Sequence, residues 1–307
     1  MSGGSHISVV VPVYNAEHTI RDAIASIDAQ ATSELDVIVV DDVSTDATRD
    51  ILKNEVSNRQ GYRIIERQKN GGPAAARNDG IGAASGDWIA FLDGDDAWLP
   101  RKLETQLALA AQHPDVDLWC AATVRLGVDA TEGADMNEPG ADPAHRAITL
   151  EEFVKHNPVA TSTVLVKREA LEACGGFDDS FVGPEDYDLW MRMAVGHRLA
   201  LIDSPLSQYR HVVGSLSMDD RKFLPQVLRV LDKGFAEGGA LCDYRHQRQS
   251  AISNQLWNAS WMAFNRGARV TAIRYWIRSW WMNLRADQRE SRKWGRLLFR
   301  YLFGRPA

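Results

Sequence analysis

Residues 7 to 112 alternate short apolar runs with segments of helical periodicity. The apolar runs at 7–15, 35–40, 62–66 and 88–92 are rich in β-branched residues and have the length of buried strands. Between them, segments 17–29, 46–56, 74–84 and 100–112 repeat apolar residues every three or four positions, as one face of a helix does. This alternation predicts an α/β fold, with a mostly parallel sheet covered by helices on both faces.

The rest of the chain is less regular. We expect strands at 116–126, 161–166 and 199–210, the last interrupted by Pro205, and a helix at 184–195. Segment 127–147 is rich in Gly, Pro, Asp and Glu and predicts a loop. Only helices are expected after Lys222, so we divide the chain into an α/β domain at 1–217 and a C-terminal helical region at 218–307.

Polar residues follow three of the predicted strands directly: Tyr14-Asn15, Asp41-Asp42 and Asp93-Gly94-Asp95-Asp96. Ligands of open parallel sheets bind beyond the carboxyl ends of the strands, so these residues should line one crevice. Carboxylates gathered there repel one another unless a cation or a ligand stabilises them. An acidic crevice therefore favours a divalent metal ion, and a divalent metal ion favours a diphosphate ligand.

Each of these polar groups also has a structural interpretation. Asp42, Ser44 and Asp46 can cap the following helix, Asn70-Gly71-Gly72-Pro73 can be only a turn, and the run 93–96 can be a surface loop. The Gly-rich cradles that bind phosphate in dinucleotide-binding and P-loop proteins are absent from the sequence. A bound metal ion would therefore have to neutralise the phosphates.

Composition adds a charge asymmetry. The segment from Arg266 to the end carries a net charge of +9, which leaves −15 for the preceding residues against −6 overall. This pattern does not indicate nucleic-acid binding. Three widely spaced cysteines argue against a disulfide framework or a zinc cluster and favour the reducing cytoplasm.

The basic tail is also rich in tryptophan. Apolar residues fall at helical spacing between 273 and 284, among arginines, and a second such stretch covers 294–303. One interpretation is a helical subdomain that packs its aromatic residues internally. The other is peripheral association with an anionic membrane, at its inner face.

Six blocks in order resemble the family 2 glycosyltransferases of the GT-A fold, and the resemblance covers residues 7 to 217. They are Val9-Val-Val-Pro-Val-Tyr-Asn15, Val40-Asp-Asp-Val-Ser-Thr-Asp46, the run 70–80 that starts Asn70-Gly-Gly-Pro73, the run 86–96 that ends Asp93-Gly-Asp-Asp96, Pro184-Glu-Asp-Tyr-Asp-Leu-Trp-Met-Arg192, and Tyr209-Arg-His211. One departure is Val43, where such proteins commonly have Gly, so we expect a strained turn after Asp42.

The resemblance implies a role for each matching residue. The expected metal ligands are Asp95, Asp96 and His211, for Mn²⁺ or Mg²⁺. The expected catalytic base is Asp186, supported by Glu185, at a helix start whose dipole favours an ionised carboxylate. The nucleotide-binding residues that the resemblance implies are Pro12, Tyr14, Asp41, Asp42, Gly71, Gly72, Arg77 and Asp93.

The implied activity is transfer of a sugar, with inversion, from a nucleotide-diphosphate sugar to a hydroxyl of a glycan or lipid-linked acceptor. Family frequency favours a UDP-sugar, and bacterial surface polysaccharide synthesis is the expected setting. The alternatives are a nucleotidyltransferase, which usually has a Gly-rich basic loop after its first strand, and a carbohydrate- or nucleotide-binding module without catalysis. The intact Asp93, Asp95 and Asp186 argue against the second alternative.

Overall fold

A computed structural model of the protein describes residues 6–31, 35–126, 143–210 and 218–286. The chain divides into two compact units: the first comprises residues 1–149 and 158–213, and the second comprises 150–157 and 214–307. Segment 150–157 therefore belongs with the C-terminal residues, because its short helix packs against a helix of the second unit.

The described part of the first unit contains nine strands. They are β1 (Ile7–Val13), β2 (Leu35–Asp41), β3 (Tyr62–Glu66), β4 (Trp88–Phe91), β5 (Ala97–Trp98), β6 (Leu118–Leu126), β7 (His145–Ile148), β8 (Leu165–Lys167) and β9 (Leu199–Arg210). Its helices are α1 (Ile20–Asp28), α2 (Thr48–Glu55), α3 (Gly72–Ala83), α4 (Lys102–Gln112), α6 (Arg168–Ala173) and α7 (Glu185–Gly196). The second unit contains α5 (Glu152–Lys155), α8 (Asp220–Phe235), α9 (Arg248–Asn265) and α10 (Arg269–Ala286).

The strands form one mixed sheet in the order β3-β2-β1-β4-β8-β6-β9-β5, with β7 on β9. Strands β3, β2, β1 and β4 are parallel, whereas β8 runs antiparallel to both of its neighbours. The chain moves outward from β1 to β3 and returns to the other side of β1 as β4, so a topological switch point lies between β1 and β4. The register of β9 against β6 shifts at Pro205, where the sequence predicts a break.

Helices cover both faces of the parallel part, as the alternation predicts. On one face, Val9, Val11 and Val37 pack with the apolar side of α1. On the other, α3 lies so close to β1 that a Cβ at Gly80 would come within 2.4 Å of Val10 Cγ1. The core is therefore built from strands that are buried on both sides.

Two sequence predictions are wrong. Residues 161–163, predicted as strand, form a 3₁₀ turn, and only Leu165–Lys167 continues as β8. The turn is closed by Thr163 N, which donates to Ala160 O (2.9 Å), and Thr163 Oγ1 donates to the same carbonyl (2.7 Å). Within the predicted loop 127–147, residues 127–142 lie outside the described residues, but His145–Ile148 is the strand β7 because it pairs with β9.

The second unit is helical in its described residues, as predicted. Helices α9 and α10 form an antiparallel hairpin that turns at Gly267 (φ 83°). Small residues line their contact, where Ser260 Oγ donates to Ala272 O (2.9 Å). Of the helices described here, none has the combination of length and apolar character that a bilayer crossing requires.

Candidate active site

The loops that follow β1, β2 and β4 are bonded to one another at the carboxyl edge of the sheet. Asp42 N donates to Val13 O (2.8 Å), and Gly94 N donates to Pro12 O (3.3 Å). Asn15 N also donates to Ser44 Oγ (3.0 Å). The three polar strand ends that the sequence singles out therefore lie side by side, at the switch point of the sheet.

Asp41 ends β2 as a fully buried carboxylate. Its Oδ2 accepts from Arg49 Nε (2.6 Å), and its Oδ1 accepts from Ser44 N (3.2 Å). Because the side chain is also fully buried, a nucleobase could contact Asp41 only if neighbouring groups such as Arg49 moved. The turn after Asp42 is strained, as expected, because Val43 is a β-branched residue and has φ 65°.

Asp42 shapes the glycine turn before α3. Its carboxylate accepts from Gly71 N (3.0 Å), from Gly72 N (2.7 Å) and from Arg67 Nη1 (2.6 Å). Gly72 has φ 79°, which favours glycine, and a Cβ at Gly71 would lie 2.6 Å from Arg67 Nη1. Asp42, Gly71 and Gly72 are therefore neighbours, and Asp42 is already saturated by protein donors.

Tyr14 and Pro12 differ in accessibility. The Tyr14 side chain is 53% exposed beside the loop after β2, so its ring is available to stack on a planar ligand. Pro12 is buried, and it contributes its carbonyl to the Gly94 turn.

Arg77 joins two parts of the site. Its guanidinium is buried, with Nη2 donating to Asp93 Oδ1 (2.6 Å) and Nη1 donating to Glu185 Oε1 (2.8 Å). The guanidinium carbon lies over the ring of Phe177, 5.2 Å from the ring centroid. The two carboxylates keep the pKa of Arg77 above its ordinary value despite burial, which opposes the charge. Arg77 thus connects the loop after β4 with the start of α7.

Within the acidic loop 93–96, Asp96 is held by the protein. It is 3% exposed, its Oδ2 accepts from Ser162 Oγ (2.6 Å), and its Oδ1 accepts from Arg210 N (3.0 Å). Burial, with Asp93 close by, raises the pKa of Asp96 to about 7. Through its bond with Arg210, the last residue of β9, Asp96 anchors the acidic loop to that strand.

Asp95 has the opposite character. Among the described residues its carboxylate bonds only its own main chain, and burial together with the charge of Asp93 raises its pKa to about 6. A half-buried carboxylate that protein donors leave unsatisfied fits a hard divalent cation. No cluster of three or more metal-binding side chains occurs in the described segments, so a cation there would take its remaining ligands from phosphate oxygens and water. His211 lies outside the described residues.

Glu185 and Asp186 open α7, where the positive end of the helix dipole favours carboxylates. Glu185 is buried, and Gly183 N donates to its Oε2 (2.8 Å) while Arg77 holds Oε1. Asp186 keeps some solvent exposure, and Thr161 Oγ1 donates to its Oδ2 (3.2 Å). Burial and the neighbouring Glu185 raise the pKa of Asp186 to about 7, although Arg77 opposes the shift. Asp186 is therefore suited to exchange a proton near neutral pH.

Sequence reasoning missed the residues that orient these carboxylates. Thr161 and Ser162 bind Asp186 and Asp96, and both lie in the segment predicted as strand. Arg210 Nε donates to Asp95 O (3.1 Å). The one available signal is the uninterrupted hydroxyl run Thr161-Ser162-Thr163, which is unusual inside a buried strand.

The chain is similar in sequence to known proteins. The model of the family described as Glycosyl transferase family 2 matches residues 8–175. The chain is 30% identical over 227 residues to the UDP-Glc:alpha-D-GlcNAc-diphosphoundecaprenol beta-1,3-glucosyltransferase WfgD of Escherichia coli, covering 73% of this chain and 85% of WfgD. It is also 30% identical over 213 residues to the amylovoran biosynthesis glycosyltransferase AmsB of Erwinia amylovora, covering 67% of this chain and 69% of AmsB.

A solved structure shares the fold. The mannosyltransferase PcManGT from Pyrobaculum calidifontis, in complex with GDP-Man and Mn²⁺, superposes with a TM-score of 0.63 at 20% identity, covering 96% of this chain and 80% of the other. At this identity the likeness concerns the fold alone.

Proposed function

The chain belongs to glycosyl transferase family 2, and from that premise we propose that it transfers a sugar with inversion from a nucleotide-diphosphate sugar to an acceptor hydroxyl. The family match and the GT-A fold confirm the resemblance found in the sequence. They favour neither of the alternatives, the nucleotidyltransferase or the non-catalytic binding module. The observation that carries the proposal is Arg77, whose one guanidinium binds both Asp93 and Glu185. The donor-side loop and the acidic helix start are thereby held in one site.

Asp95 and Asp93 form the donor side of the proposed mechanism. Asp95 is the residue best suited to hold Mn²⁺ or Mg²⁺, because protein donors leave its carboxylate unsatisfied. A bound divalent cation would neutralise charge on the leaving diphosphate. Asp93, half-buried and ion-paired to Arg77, would orient the ribose or the donor sugar. The neighbouring Arg210 adds positive charge on the same side.

The nucleoside would bind beside the loops after β1 and β2. The exposed Tyr14 ring offers a stacking surface, and the Arg49–Asp41 ion pair supplies polar groups next to it. Pro12 and the Asp42-held turn at Gly71-Gly72 would form the walls of this subsite.

Asp186 is the proposed base. The acceptor hydroxyl transfers its proton to Asp186 as its oxygen bonds to the anomeric carbon, while the bond from that carbon to the diphosphate oxygen breaks. Thr161 orients the carboxylate of Asp186. Glu185 supports Asp186 indirectly, because it holds the Arg77 guanidinium, whose positive charge acts on Asp186. A single displacement of this kind inverts the anomeric configuration.

The donor that we propose is a UDP-sugar, and the acceptor is a glycan or lipid-linked hydroxyl in bacterial surface polysaccharide synthesis. The names of WfgD and AmsB describe enzymes of that kind. A lipid-linked acceptor would place the reaction at the inner face of the membrane, with the helices of the second unit providing peripheral attachment.

A panel of nucleotide sugars tests the proposal. Thermal unfolding of the protein is measured with UDP-, GDP- and dTDP-sugars in the presence of Mn²⁺ or Mg²⁺, and again with a chelator. We expect one nucleotide series to raise the unfolding temperature only when the metal ion is present. Nuclear magnetic resonance of the product formed on a lipid-diphosphate sugar acceptor then reports the anomeric configuration. Retention of the donor configuration would contradict the proposed mechanism.

A further inference from the structure

Helix α10 of the second unit has one face fixed by the protein. Ala272 and Ser279 are fully buried against α9. Ser253 Oγ donates to Ser279 O (2.9 Å), and Ser279 Oγ donates in return to Ser253 O (2.8 Å). Because these side chains are small, the two helices approach closely and α10 cannot rotate about its axis. The side chains opposite this contact therefore face outward.

The outward face carries a continuous apolar stripe. Val270, Ile273, Ile277 and Trp281 are 66%, 39%, 42% and 56% exposed. Their spacing of three and four residues places them on one line along the helix. A protein surface rarely leaves such a line of large apolar side chains in water unless it contacts a partner.

Arginines flank the stripe. Arg274 and Arg278 each follow a stripe residue directly, and both are exposed, as is Arg269. None of the three forms an ion pair with any residue in the described ranges, and the sequence of α10 contains no Asp or Glu. The helix is therefore apolar along its outer line and cationic beside it.

We propose that this stripe and its arginines dock α10 flat on an anionic lipid bilayer. The apolar side chains would enter the headgroup boundary, and the guanidinium groups would bind lipid phosphates. A second copy that docks through the same helix is a poorer partner, because its arginines would repel those of the first. The preceding residues 1–265, with a net charge of −15, would be repelled by the same surface, which favours attachment through this helix.

This inference rests on the peripheral attachment proposed above and names the surface and the lipid that provide it. It can be tested apart from sugar transfer, since binding to lipid requires neither donor nor acceptor. The full chain is sedimented with vesicles of phosphatidylcholine alone and of phosphatidylcholine with phosphatidylglycerol, at low and at high salt. We expect binding to the phosphatidylglycerol vesicles, weakened by salt. The double variant Arg274→Gln/Arg278→Gln should bind about 25-fold more weakly, from roughly fivefold per arginine. The double variant Ile277→Ser/Trp281→Ser should bind these vesicles at least about tenfold more weakly.

Two matched controls separate this surface from general effects. Val195→Ser removes an exposed apolar side chain of the first unit (61% exposed), and Lys53→Gln removes an exposed charge there. Both should bind vesicles like the unmodified chain. Equal binding by the stripe variants would overturn the proposal, and so would binding that does not depend on phosphatidylglycerol. If the unmodified chain is a dimer without vesicles and the stripe variants are monomers, the partner is a second copy and the proposal is wrong.

Discussion

Asp93 and Glu185 share one cation. Both carboxylates are bound by Arg77, at 2.6 Å and 2.8 Å, although one residue follows a central strand and the other begins a helix far along the chain. The guanidinium fixes how far apart the donor-side loop and the proposed base lie. It also places a positive charge beside Asp186, which opposes the effect of burial on the pKa of that group. The ion pairs thus set both geometry and proton affinity.

Replacing the proposed base should separate binding from transfer. Asp186→Asn keeps the size of the side chain and removes its ability to accept a proton. We expect the nucleotide-dependent rise in unfolding temperature to persist, while the transfer rate falls by about 10² to 10⁴. The control is Glu172→Gln, which changes an exposed carboxylate on α6 and should transfer normally. A normal rate in Asp186→Asn would show that another group takes the proton.

The transfer rate should depend on pH through the same carboxylate. The pKa of Asp186 is raised to about 7, and the base must be ionised to accept a proton, so activity should rise with pH. Below that pKa we expect kcat/KM to fall by about tenfold per pH unit, with a plateau above it. The measurement is kcat/KM across pH at saturating metal ion. A flat profile through neutral pH would contradict the assignment.

Asp95 and Asp96 should behave differently when each is changed to Asn. Without metal ion, Asp95→Asn should raise the unfolding temperature above neutral pH, because it removes a carboxylate whose pKa is raised by burial and by the charge of Asp93. The sign follows from proton binding: a raised pKa in the folded state lowers stability as pH rises through about 6. The variant should also lose the metal-dependent stabilisation by nucleotide diphosphate.

Asp96→Asn serves as the matched comparison. Its side chain accepts from Ser162 Oγ and Arg210 N. In the amide, Oδ1 can still accept from Arg210 N, while Nδ2 donates to Ser162 Oγ, whose own hydrogen must then turn away. We expect the variant to unfold about 0.5–1.5 kcal/mol more easily, because a charge-assisted hydrogen bond is replaced by a neutral one. If Asp96→Asn abolished the metal effect and Asp95→Asn did not, the metal ligand would be Asp96.

Removing Arg77, the cation that Asp93 and Glu185 share, should change both the stability of the protein and the pH dependence of transfer. Arg77→Met leaves Glu185 buried without its partner and should lower the free energy of unfolding by about 3–5 kcal/mol. It should also move the pH profile of transfer to higher pH, because Arg77 opposes the rise in the pKa of Asp186. Arg21→Gln breaks the exposed ion pair with Glu55 and should cost about 0–1 kcal/mol, with an unchanged pH profile. An unshifted profile in Arg77→Met would indicate that Arg77 acts only on stability.

Local pattern was sufficient for most of the first unit. A strand such as β1 is apolar at every position and ends at polar residues, and burial on both faces requires that composition. The strain at Val43 and the irregularity at Pro205 were also predictable, because φ preferences and the missing amide hydrogen of proline act within a few residues. The order of the six sequence blocks was likewise sufficient to identify the family.

Contacts between distant residues were not predictable in this way. Thr161 has good strand propensity, yet its segment forms a 3₁₀ turn, and in that turn the Thr161 hydroxyl donates to Asp186. Asp95 and Asp96 are adjacent and chemically identical, and only their surroundings show that Ser162 Oγ and Arg210 N bind the carboxylate of Asp96 and not that of Asp95.

The sequence alone therefore determined the α/β order of elements, the acidic strand ends and the periodicity of α10. The periodicity of apolar residues in a helix indicates which side chains are buried. The composition of a strand indicates whether one or both faces of the sheet are covered there. The tertiary structure decided which carboxylates share Arg77 and which face of α10 meets water. Both depend on groups that are brought together only when the chain is packed, and their energies are set by that packing rather than by neighbours in sequence.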